Sequence, residues 1–414
     1  MTKKVTRSTT PEYYIGLDVH KSSISIACAA ADGSAPEFYG KTTGSNLSVE
    51  RALVKLCKKL GCEKADLRIC YEAGPTGFVL VRRLVQLGYD CIVIAPSKIP
   101  QKSGDKVKTD RKDSKKLARL LRAGELEAIH VPSPIDEAIR DLCRARTDAV
   151  QARRRAKKQL LGFMLRNGMS YSGKSHWTQG HLNYIRKLAM PDPVQQVVLE
   201  EYIMEIDAAE ERVARLFAHM EEKLESWPRK PMVRALMALR GFQLVTAMTT
   251  VAELGDLDRF ETPRQLMGYL GIVPGEDSSG ERRRQGAITK TGNSHVRWML
   301  AESANAYESK AMVSPALSKR QDGQSRAVKE LSWRAQERLC YRRRRLSARK
   351  LPRNKVTIAI ARELCGFIWE LDAVIRKEQP APPPADTDTP PSTTEPGRRR
   401  ASTGTFSMPD HYSG

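Results

Sequence analysis

Residues 14–19 read Tyr14-Ile15-Gly16-Leu17-Asp18-Val19, and residues 23–28 read Ser23-Ile24-Ser25-Ile26-Ala27-Cys28. The second run alternates polar and apolar residues, which is typical of a strand with one buried face. Together the two runs predict a β-hairpin. A third short strand is predicted from Glu37 to Thr43.

The residues after these strands alternate between helix and strand patterns. The predicted order is a helix from Asn46 closed by Gly61, a strand Leu67–Tyr71, a helix Gly77–Leu87, a strand Cys91–Ala95, a helix Asp110–Arg122 and a short segment Ala128–Val131. Three strands followed by alternating helices and strands predict an RNase H-like α/β domain, a mixed sheet flanked by helices.

The overall charge indicates a polyanionic partner. The 414 residues contain 70 lysines and arginines against 48 acidic residues, which gives a net charge of +22. Each neutralised phosphate of a nucleic acid releases counterions and adds affinity, so nucleic acid is favoured over a merely basic protein. The eight cysteines show no CxxC spacing, and we find no secretory signal and no apolar run of membrane length. We therefore expect a cytoplasmic protein with reduced thiols and no membrane contact.

The middle of the chain carries a heptad-like pattern. Apolar residues at three-four spacing indicate a coiled-coil seam, with Glu210 as the break: Leu199, Ile203, Ile206, Val213, Phe217, Met220 and Leu224. The seam could also be one stripe of a helical bundle, but its charged flanks favour an exposed hairpin or a dimer element. We divide the chain into a flexible N-terminus (1–12), the RNase H-like domain (13–131), a helical coiled-coil region (132–230), a serine-bearing domain (231–310), a basic helical region (311–378) and a disordered tail (379–414). The C-terminal part is thus expected to be mainly α.

Four carboxylates stand where an RNase H-like nuclease would place metal ligands: Asp18, Glu72, Asp110 and Asp113. Asp18 and Glu72 end predicted strands, and strand ends of such sheets converge. Asp110 and Asp113 are three apart at a helix start and so share one face. Oxygen ligands of this kind suit Mg²⁺, with Mn²⁺ as an alternative, and two such ions can assist phosphoryl transfer. Each acid alone could be a turn or helix cap; the set favours the metal site.

Several basic residues are predicted to contact nucleic acid. Lys108, Arg111 and Lys112 alternate with the proposed ligands and would suit an entering phosphate backbone. A solvated charged loop is the alternative. In the C-terminal half we assign the same role to Arg282, Arg283, Arg284, Lys290, Arg297, Arg343 and Arg344.

Ser278 and Ser279 lie in a predicted glycine-flanked loop beside three arginines. A serine becomes a nucleophile when a base or metal activates it, and guanidinium groups can stabilise a charged phosphorane. A lone Ser-Ser-Gly is otherwise a common turn. Further upstream, residues 236–247 resemble a helix-hairpin-helix, but Gln243 replaces the usual second glycine, so a packing turn is an equal alternative.

These motifs resemble the DEDD-type insertion-sequence transposases, the family that includes the Piv-type DNA invertases. The matching runs are residues 14–21, 71–74, 108–113, 260–266, 268–274, 278–280 and 286–293, in order along the chain. The resemblance implies a RuvC-like N-terminal domain whose metal-binding tetrad is Asp18, Glu72, Asp110 and Asp113. It also implies a serine nucleophile, with Ser278 favoured and Ser279 in second place, and a guide RNA encoded by the element.

The predicted function is therefore a transposase that cleaves and rejoins DNA at element ends and target, acting as a homo-oligomer (dimer or tetramer). One hypothesis is that the serine meets the metal site of a partner subunit. The main alternative is a RuvC-like junction or structure-selective endonuclease that uses water as nucleophile. An actin-like ATPase is disfavoured because Val19-His20-Lys21-Ser22 replaces its glycine-rich loop. A third alternative is a decayed, non-enzymatic nucleic-acid-binding protein.

Overall fold

The computed structural model describes residues 11–100, 109–279 and 282–378. Its N-terminal part contains a five-stranded sheet. The strands are β1 (Tyr13–Val19), β2 (Ser23–Ala30), β3 (Glu37–Thr43), β4 (Leu67–Glu72) and β5 (Asp90–Ile94). They are ordered β3-β2-β1-β4-β5; β1, β2 and β3 pair antiparallel, while β1, β4 and β5 pair parallel. This mixed sheet confirms the predicted strands and is compatible with an RNase H-like domain.

Three helices cover the sheet: α1 (Asn46–Leu60), α2 (Val79–Gln86) and α3 (Asp110–Arg122). Residues of β1 and β4 alternate between the two faces, as side chains of strands must. Ile15, Leu17 and Ile69 join a core with α1 and α2, whereas Cys70 packs with Leu117 of α3. The even-numbered residues of these two strands, Asp18 and Glu72 among them, therefore belong to the face that α3 covers.

Helix α3 lies unusually close to the central strand. A β-carbon on Gly16 would lie 2.3 Å from the carbonyl oxygen of Ser114 and 2.5 Å from the backbone nitrogen of Ala118. Only glycine leaves room for this approach, and the small buried Ser114 and Ala118 complete it from the helix side. The short contact sets the position of the first turn of α3 over the end of β1.

The middle region consists of two long helices, α4 (Pro134–Arg166) and α6 (Pro193–Ser226), with the short α5 (Gln179–Lys187) between them. The predicted seam of α6 packs within the chain, because Leu199 and Ile206 share a core with Leu160 of α4. Glu210, which interrupts the seam, forms ion pairs with Arg153 and Lys157 of α4. The apolar stripe of α6 therefore packs against α4 in a helical hairpin. A coiled coil between subunits stays a prediction.

The C-terminal part is largely helical, as predicted, but it also contains a two-stranded sheet. Its elements are α7 (Lys230–Met237), α8 (Leu244–Leu254), α9 (Pro263–Tyr269), β6 (Pro274–Ser279), β7 (Arg282–Ile288), α10 (Ser294–Asn305), α11 (Pro315–Gln321), α12 (Arg326–Ala348) and α13 (Arg353–Glu378). One apolar core joins α7, α8, α10, α12 and α13 with the start of α4 and the end of α6. Among the described residues, no helix is long and apolar enough to cross a membrane.

Candidate functional site

A row of polar residues crosses the face of the sheet that α3 covers. Asp18 pairs with Ser25 across β1 and β2, and Ser25 pairs with Lys41 across β2 and β3. On the other side of β1, Leu17 pairs with Tyr71, which brings Glu72 into register with Asp18. Neighbouring strands are about 5 Å apart, so the row runs from a cation on β3 to two acids on β1 and β4.

The first turn of α3 adds two more acids above this row. Thr109 caps the helix through its side chain, which accepts a hydrogen bond from the backbone N–H of Lys112, and Asp110 and Asp113 follow in the first turn. Negative charge is favoured at this end of a helix dipole. The local sequence therefore builds a stable helix start that carries both predicted ligands.

Asp18 and Asp110 meet at His20. The His20 Nε2 atom lies 3.1 Å from Asp18 Oδ2 and 3.7 Å from Asp110 Oδ1. One ligand atom from each of the three residues falls within 4.8 Å of the others, a spacing that suits one metal ion. The Lys41 Nζ atom donates to Asp110 Oδ2 at 2.9 Å. We call Asp18, His20 and Asp110 the acidic cluster.

The two carboxylates of the acidic cluster differ in proton affinity. Burial raises the pKa of Asp18, and the nearby charges of Asp110 and Asp113 act in the same direction against the lowering effect of His20. The hydrogen bond from Lys41 lowers the pKa of Asp110. A divalent cation would relieve the repulsion among these acids, which is the electrostatic behaviour expected of a metal site.

Glu72 and Asp113 lie near the acidic cluster without belonging to its three-atom group. Glu72 is exposed and shares the sheet row with Asp18, while Asp113 is partly buried one helical turn after Asp110. The structure thus brings Asp18 and Asp110 together directly. It places the other two predicted ligands on the same face of the sheet, outside this three-residue group.

Two residues outside the predicted tetrad also belong to this site. His20 is exposed at the exit of β1, and it contacts both acids. Its position two residues after Asp18 was an available signal. Lys41 gave no signal in the sequence, because only the register of β2 and β3 places it beside residues of α3.

The serine segment differs from its prediction. We expected Ser278 and Ser279 in a glycine-flanked loop, but they end strand β6, where Ser278 pairs with Arg283 and Ser279 with Arg282 across the hairpin. The polar run was mistaken for a turn because cross-strand pairing, rather than residue type, extends the strand. Asp277 pairs with Arg284 in the same ladder. The side chains of residues 277–285, like residue Lys108, lie outside what the structure describes.

A buried carboxylate fixes the turn that follows this hairpin. Glu253 of α8 accepts two hydrogen bonds from the Arg144 guanidinium, at 2.7 and 3.0 Å, and one from Asn293 Nδ2 at 2.6 Å. Its side chain is 0% exposed. Asn293 also caps α10 by accepting from the backbone N–H of Val296. Helices α4, α8 and α10 therefore meet at a single carboxylate just after β7.

The start of α4 contacts both parts of the molecule. Glu137 pairs with Arg82 of α2, beside the loop that follows Glu72. Asp136, which is buried, accepts hydrogen bonds from Trp227 Nε1 at 2.9 Å and from Arg229 at 2.9 and 3.0 Å. One helix start thus bridges the sheet and the C-terminal core.

The predicted nucleic-acid contacts fall into exposed and interior groups. Arg111, Lys112, Lys290 and Arg344 are exposed. Arg297 is partly buried and donates to the carbonyl oxygens of Leu270, Thr291 and Gly292. For Arg343 the prediction of a surface contact is corrected: its side chain is 4% exposed, donates to Ala304 and pairs with Glu308.

The helix-hairpin-helix-like turn packs against the protein itself. Gly241 has a φ of 90°, and a β-carbon there would lie 2.4 Å from the Ser303 carbonyl oxygen. This close approach to α10 requires glycine for packing. Of the two alternatives left by the sequence, the packing turn accounts for this contact.

Comparison with known proteins defines the class to which these features belong. A family profile for DEDD-type transposases, described as "Transposase", matches residues 15–167, which include the sheet, α3 and α4. A second profile, described as "Transposase IS116/IS110/IS902 family", matches residues 233–319, which include the serine hairpin.

Similar proteins carry the same designation. The chain is 42% identical over 362 residues to a Sinorhizobium fredii protein named as transposase y4qE, covering 87% of this chain and 88% of that protein. It is 29% identical to the transposase for insertion sequence element IS1533 of Leptospira borgpetersenii, over 81% of this chain and 97% of the relative. It is 23% identical to the transposase for insertion sequence element IS1328 of Yersinia enterocolitica, over 71% of this chain and 83% of the relative.

The chain belongs to the IS110/IS116 family of insertion-sequence transposases, as its sequence motifs indicated. Transposase activity, and hence DNA as a binding partner, follows from this membership. The DEDD profile implies a divalent metal, and the acidic cluster lies within the matched residues.

Proposed function

We propose that this transposase cleaves and rejoins DNA at the element ends and at the target with a divalent metal held by the predicted tetrad: Asp18, Glu72, Asp110 and Asp113. The observation that carries the proposal is the acidic cluster, in which ligand atoms of Asp18, His20 and Asp110 lie within 4.8 Å of one another. Two strand-end carboxylates and two helix-start carboxylates then share one face of the sheet.

The residues present fit Mg²⁺ or Mn²⁺. Carboxylate oxygens are the ligands that both ions prefer, and the sheet and the capped helix start hold Asp18 and Asp110 in place. When bound, such an ion acts as a Lewis acid on a phosphoryl oxygen and helps to generate the attacking group. Asp18 and Asp110 would hold it, and Glu72 and Asp113 would complete its coordination or that of a second ion.

The remaining residues of the site would bind and orient the DNA. His20 would position Asp18 by donating a hydrogen bond from Nε2 to the Oδ2 atom of that carboxylate. Arg111 and Lys112 are exposed at the start of α3 and can contact the phosphodiester backbone. We assign Lys108, which precedes them, to the same role.

We infer that Ser278 is the nucleophile, with Ser279 as the second candidate. The serine oxygen would form a bond to phosphorus as the bond from phosphorus to a deoxyribose oxygen breaks, and the released hydroxyl would reverse the step during rejoining. Support comes from family membership and from the pairing of both serines with Arg283 and Arg282 in the hairpin. Guanidinium groups near the phosphorus stabilise the charge of the transition state.

The remaining partners follow from the same proposal. The net charge of +22 supports the binding of two polyanions, an element-encoded guide RNA together with DNA. Exchange between two duplexes needs several active sites, which supports a dimer or tetramer. The alternative of a stand-alone junction endonuclease is not favoured, because the second family profile matches the part of the chain that such an enzyme would not need.

The test is the detection of a covalent protein–DNA adduct that survives denaturation. Purified protein is incubated with Mg²⁺, element-end DNA and RNA from the flanking non-coding region. Wild type is compared with Asp18→Asn, Ser278→Ala and Ser279→Ala. Asp32→Asn is the matched control, because Asp32 lies beyond the other end of β2 and accepts only a local hydrogen bond from Ser34.

We expect the adduct in wild type and in Asp32→Asn, and its loss in Asp18→Asn and in one serine variant. Cleavage without an adduct, unchanged in both serine variants, would replace the serine nucleophile with water. An adduct that forms at the wild-type level in Asp18→Asn would refute the metal site.

A further inference from the structure

An open cleft of 480 Å³ adjoins the acidic cluster on the side of β3. It is lined by Ser25, Phe38, Lys41, Thr109, Asp110 and Arg111. Two of these residues are cations and one is aromatic, whereas Asp110 belongs to the acidic cluster. The cleft is therefore the positive end of the sheet row whose negative end holds the proposed metal.

A β-bulge creates this lining. Lys41 pairs with Ser25, but Phe38 pairs with Ala27, and the register shifts between Ile26 and Ala27. Phe38 and Lys41 are three positions apart in the chain, so a regular strand would place them on opposite faces. The bulge puts both on the face covered by α3. Bulges are common beside active sites because they re-aim single side chains.

Lys41 shares its partner, Asp110, with the proposed metal. Its ammonium group lies 2.9 Å from Asp110 Oδ2, and the two side chains are 52% and 44% exposed. An exposed pair of this kind contributes little stability and exchanges readily. A cation on the Oδ1 side of Asp110, which faces His20, weakens the attraction of Asp110 for Lys41, so the ammonium group can exchange to an anion in the cleft.

Arg111 supplies the second cation and a flat surface. Its guanidinium lies 5.3 Å from the ring centroid of Phe38, a cation–π contact that keeps the planar group over the cleft. Guanidinium binds phosphate through two parallel hydrogen bonds, and an aromatic edge accommodates a sugar or base. Together Lys41, Arg111 and Phe38 match one nucleotide of a nucleic-acid strand.

We propose that this cleft is a phosphodiester subsite for the DNA strand next to the cleaved phosphate, and that Lys41 changes partner from Asp110 to that phosphate when metal binds. The inference rests on the proposed function, since it assumes that Asp110 is a metal ligand. It adds Lys41 and Phe38 as positioning residues.

The experiment measures metal and DNA binding separately. Mn²⁺ binding is followed by electron paramagnetic resonance without DNA, and binding of a short single-stranded DNA by fluorescence anisotropy at saturating Mn²⁺ over a range of salt. An RNA of the same sequence forms a parallel arm. The variants are Lys41→Gln, Lys41→Arg and Phe38→Leu. Lys55→Gln is the matched control, because it removes one exposed charge from α1 on the other face of the sheet.

We expect opposite effects in Lys41→Gln. Mn²⁺ binding should tighten by about threefold, because a cation that competes for Asp110 is gone. DNA binding should weaken by about three- to tenfold, with a salt slope lower by about one. Lys41→Arg should restore DNA binding, Phe38→Leu should weaken it without affecting Mn²⁺, and Lys55→Gln should match wild type. Stronger loss with DNA than with RNA assigns the subsite to DNA.

Equal DNA affinity in Lys41→Gln and Lys55→Gln would overturn the inference, and so would a parallel loss of Mn²⁺ and DNA binding, which marks a structural ion pair. Loss confined to the RNA arm would overturn the assignment to DNA. Failure of wild type to bind Mn²⁺ would instead refute the proposed metal site, and this inference with it. The two failures are thus distinguishable.

Discussion

Glu253 and Asp110 are both carboxylates held by a cation, but their surroundings differ in one decisive respect. Glu253 is 0% exposed, and Arg144 and Asn293 occupy its oxygens with three hydrogen bonds. Asp110 is 44% exposed, and its partners Lys41 and His20 are more than half exposed. We call the first the closed site and the second the open site.

The difference shows how to separate a structural carboxylate from a functional one. In the closed site both oxygens of the buried carboxylate have partners inside the protein, so a ligand would have to displace hydrogen bonds of a buried charge at high cost. In the open site the partners are exchangeable and a cleft adjoins them. A charged residue in a short motif therefore indicates function only where its partners can be replaced.

The largest effect on stability is expected from Gly16→Ala, which disrupts the packing of α3 on β1 that positions the open site. The new β-carbon would lie 2.3 Å from the Ser114 carbonyl oxygen, so α3 must move away from β1. We expect a loss of about 4 kcal/mol in the free energy of unfolding, or failure of the N-terminal region to fold. Calorimetry and urea unfolding measure this loss.

Gly162→Ala serves as its control. Gly162 lies within α4, and its nearest neighbour would be the flexible Arg166 side chain at 3.7 Å. Alanine in a helix interior should then stabilise the protein by about 0.5–1 kcal/mol. A similar small change in Gly16→Ala would show that the close packing of α3 on β1 is not required.

Glu253→Ala breaks the closed site and should lower the free energy of unfolding by about 2–4 kcal/mol, because Arg144 and Asn293 lose their common partner. The lower part of that range reflects the partial exposure of Arg144, which is 42%. Glu253→Gln keeps one acceptor oxygen, which Asn293 can use, and should lower the free energy of unfolding by about half as much. A loss below about 1 kcal/mol in Glu253→Ala would show that the site is not closed.

A second closed carboxylate, Asp136, should give a pH-dependent effect. Burial alone would raise its pKa, but hydrogen bonds from Arg229 and Trp227 outweigh this and lower the pKa below its usual range. Its contribution to stability is therefore present above about pH 4 and lost as pH falls through the lower folded value.

At neutral pH the free energy of unfolding of Asp136→Asn should accordingly be about 2 kcal/mol lower than that of wild type. The difference should narrow as the pH falls from about 4 through the lowered folded pKa of Asp136, because the carboxyl of wild type then also becomes neutral. Urea unfolding across this pH range measures it. A constant difference at all pH values would contradict the lowered pKa.

The smallest effect is expected from Lys41→Gln in the open site. Its ion pair with Asp110 joins two half-exposed side chains, so the free energy of unfolding should change by less than about 0.5 kcal/mol. Thermal unfolding of the metal-free protein tests this. A cost close to that of Glu253→Ala would erase the distinction between the two sites.

Much of the N-terminal fold could be predicted from the sequence, because local patterns determine it. The alternation in residues 23–28 predicted β2, and the acids that open α3 follow a threonine cap. Asp18 and Asp110 were both predicted as ligands of one metal site, and the structure places a carboxylate oxygen of each within 3.7 Å of His20 Nε2. Periodicity and capping act over a few residues, so the sequence shows them directly.

Other features depended on contacts between distant residues. The apolar stripe of α6 predicted a seam but not its partner, which is α4 of the same chain. The run that contains Ser278 was predicted as a loop but is a strand, since pairing with β7 extends it. Arg343 belongs to a basic run, but its side chain is buried and donates a hydrogen bond to the carbonyl oxygen of Ala304.

The sequence by itself determined the order of strands and helices along the N-terminal region, the helix starts, the family motifs and the excess positive charge, because each is a property of neighbouring residues or of composition. The tertiary structure alone decided which charges are closed and which are open. Glu253 links α4, α8 and α10 because Arg144 and Asn293, which are distant in sequence, both donate hydrogen bonds to it. Lys41 contacts Asp110 because the register of β3 on β2, with its bulge, places Lys41 on the face covered by α3. Burial and register are set by the packing of whole elements, and no local pattern encodes them.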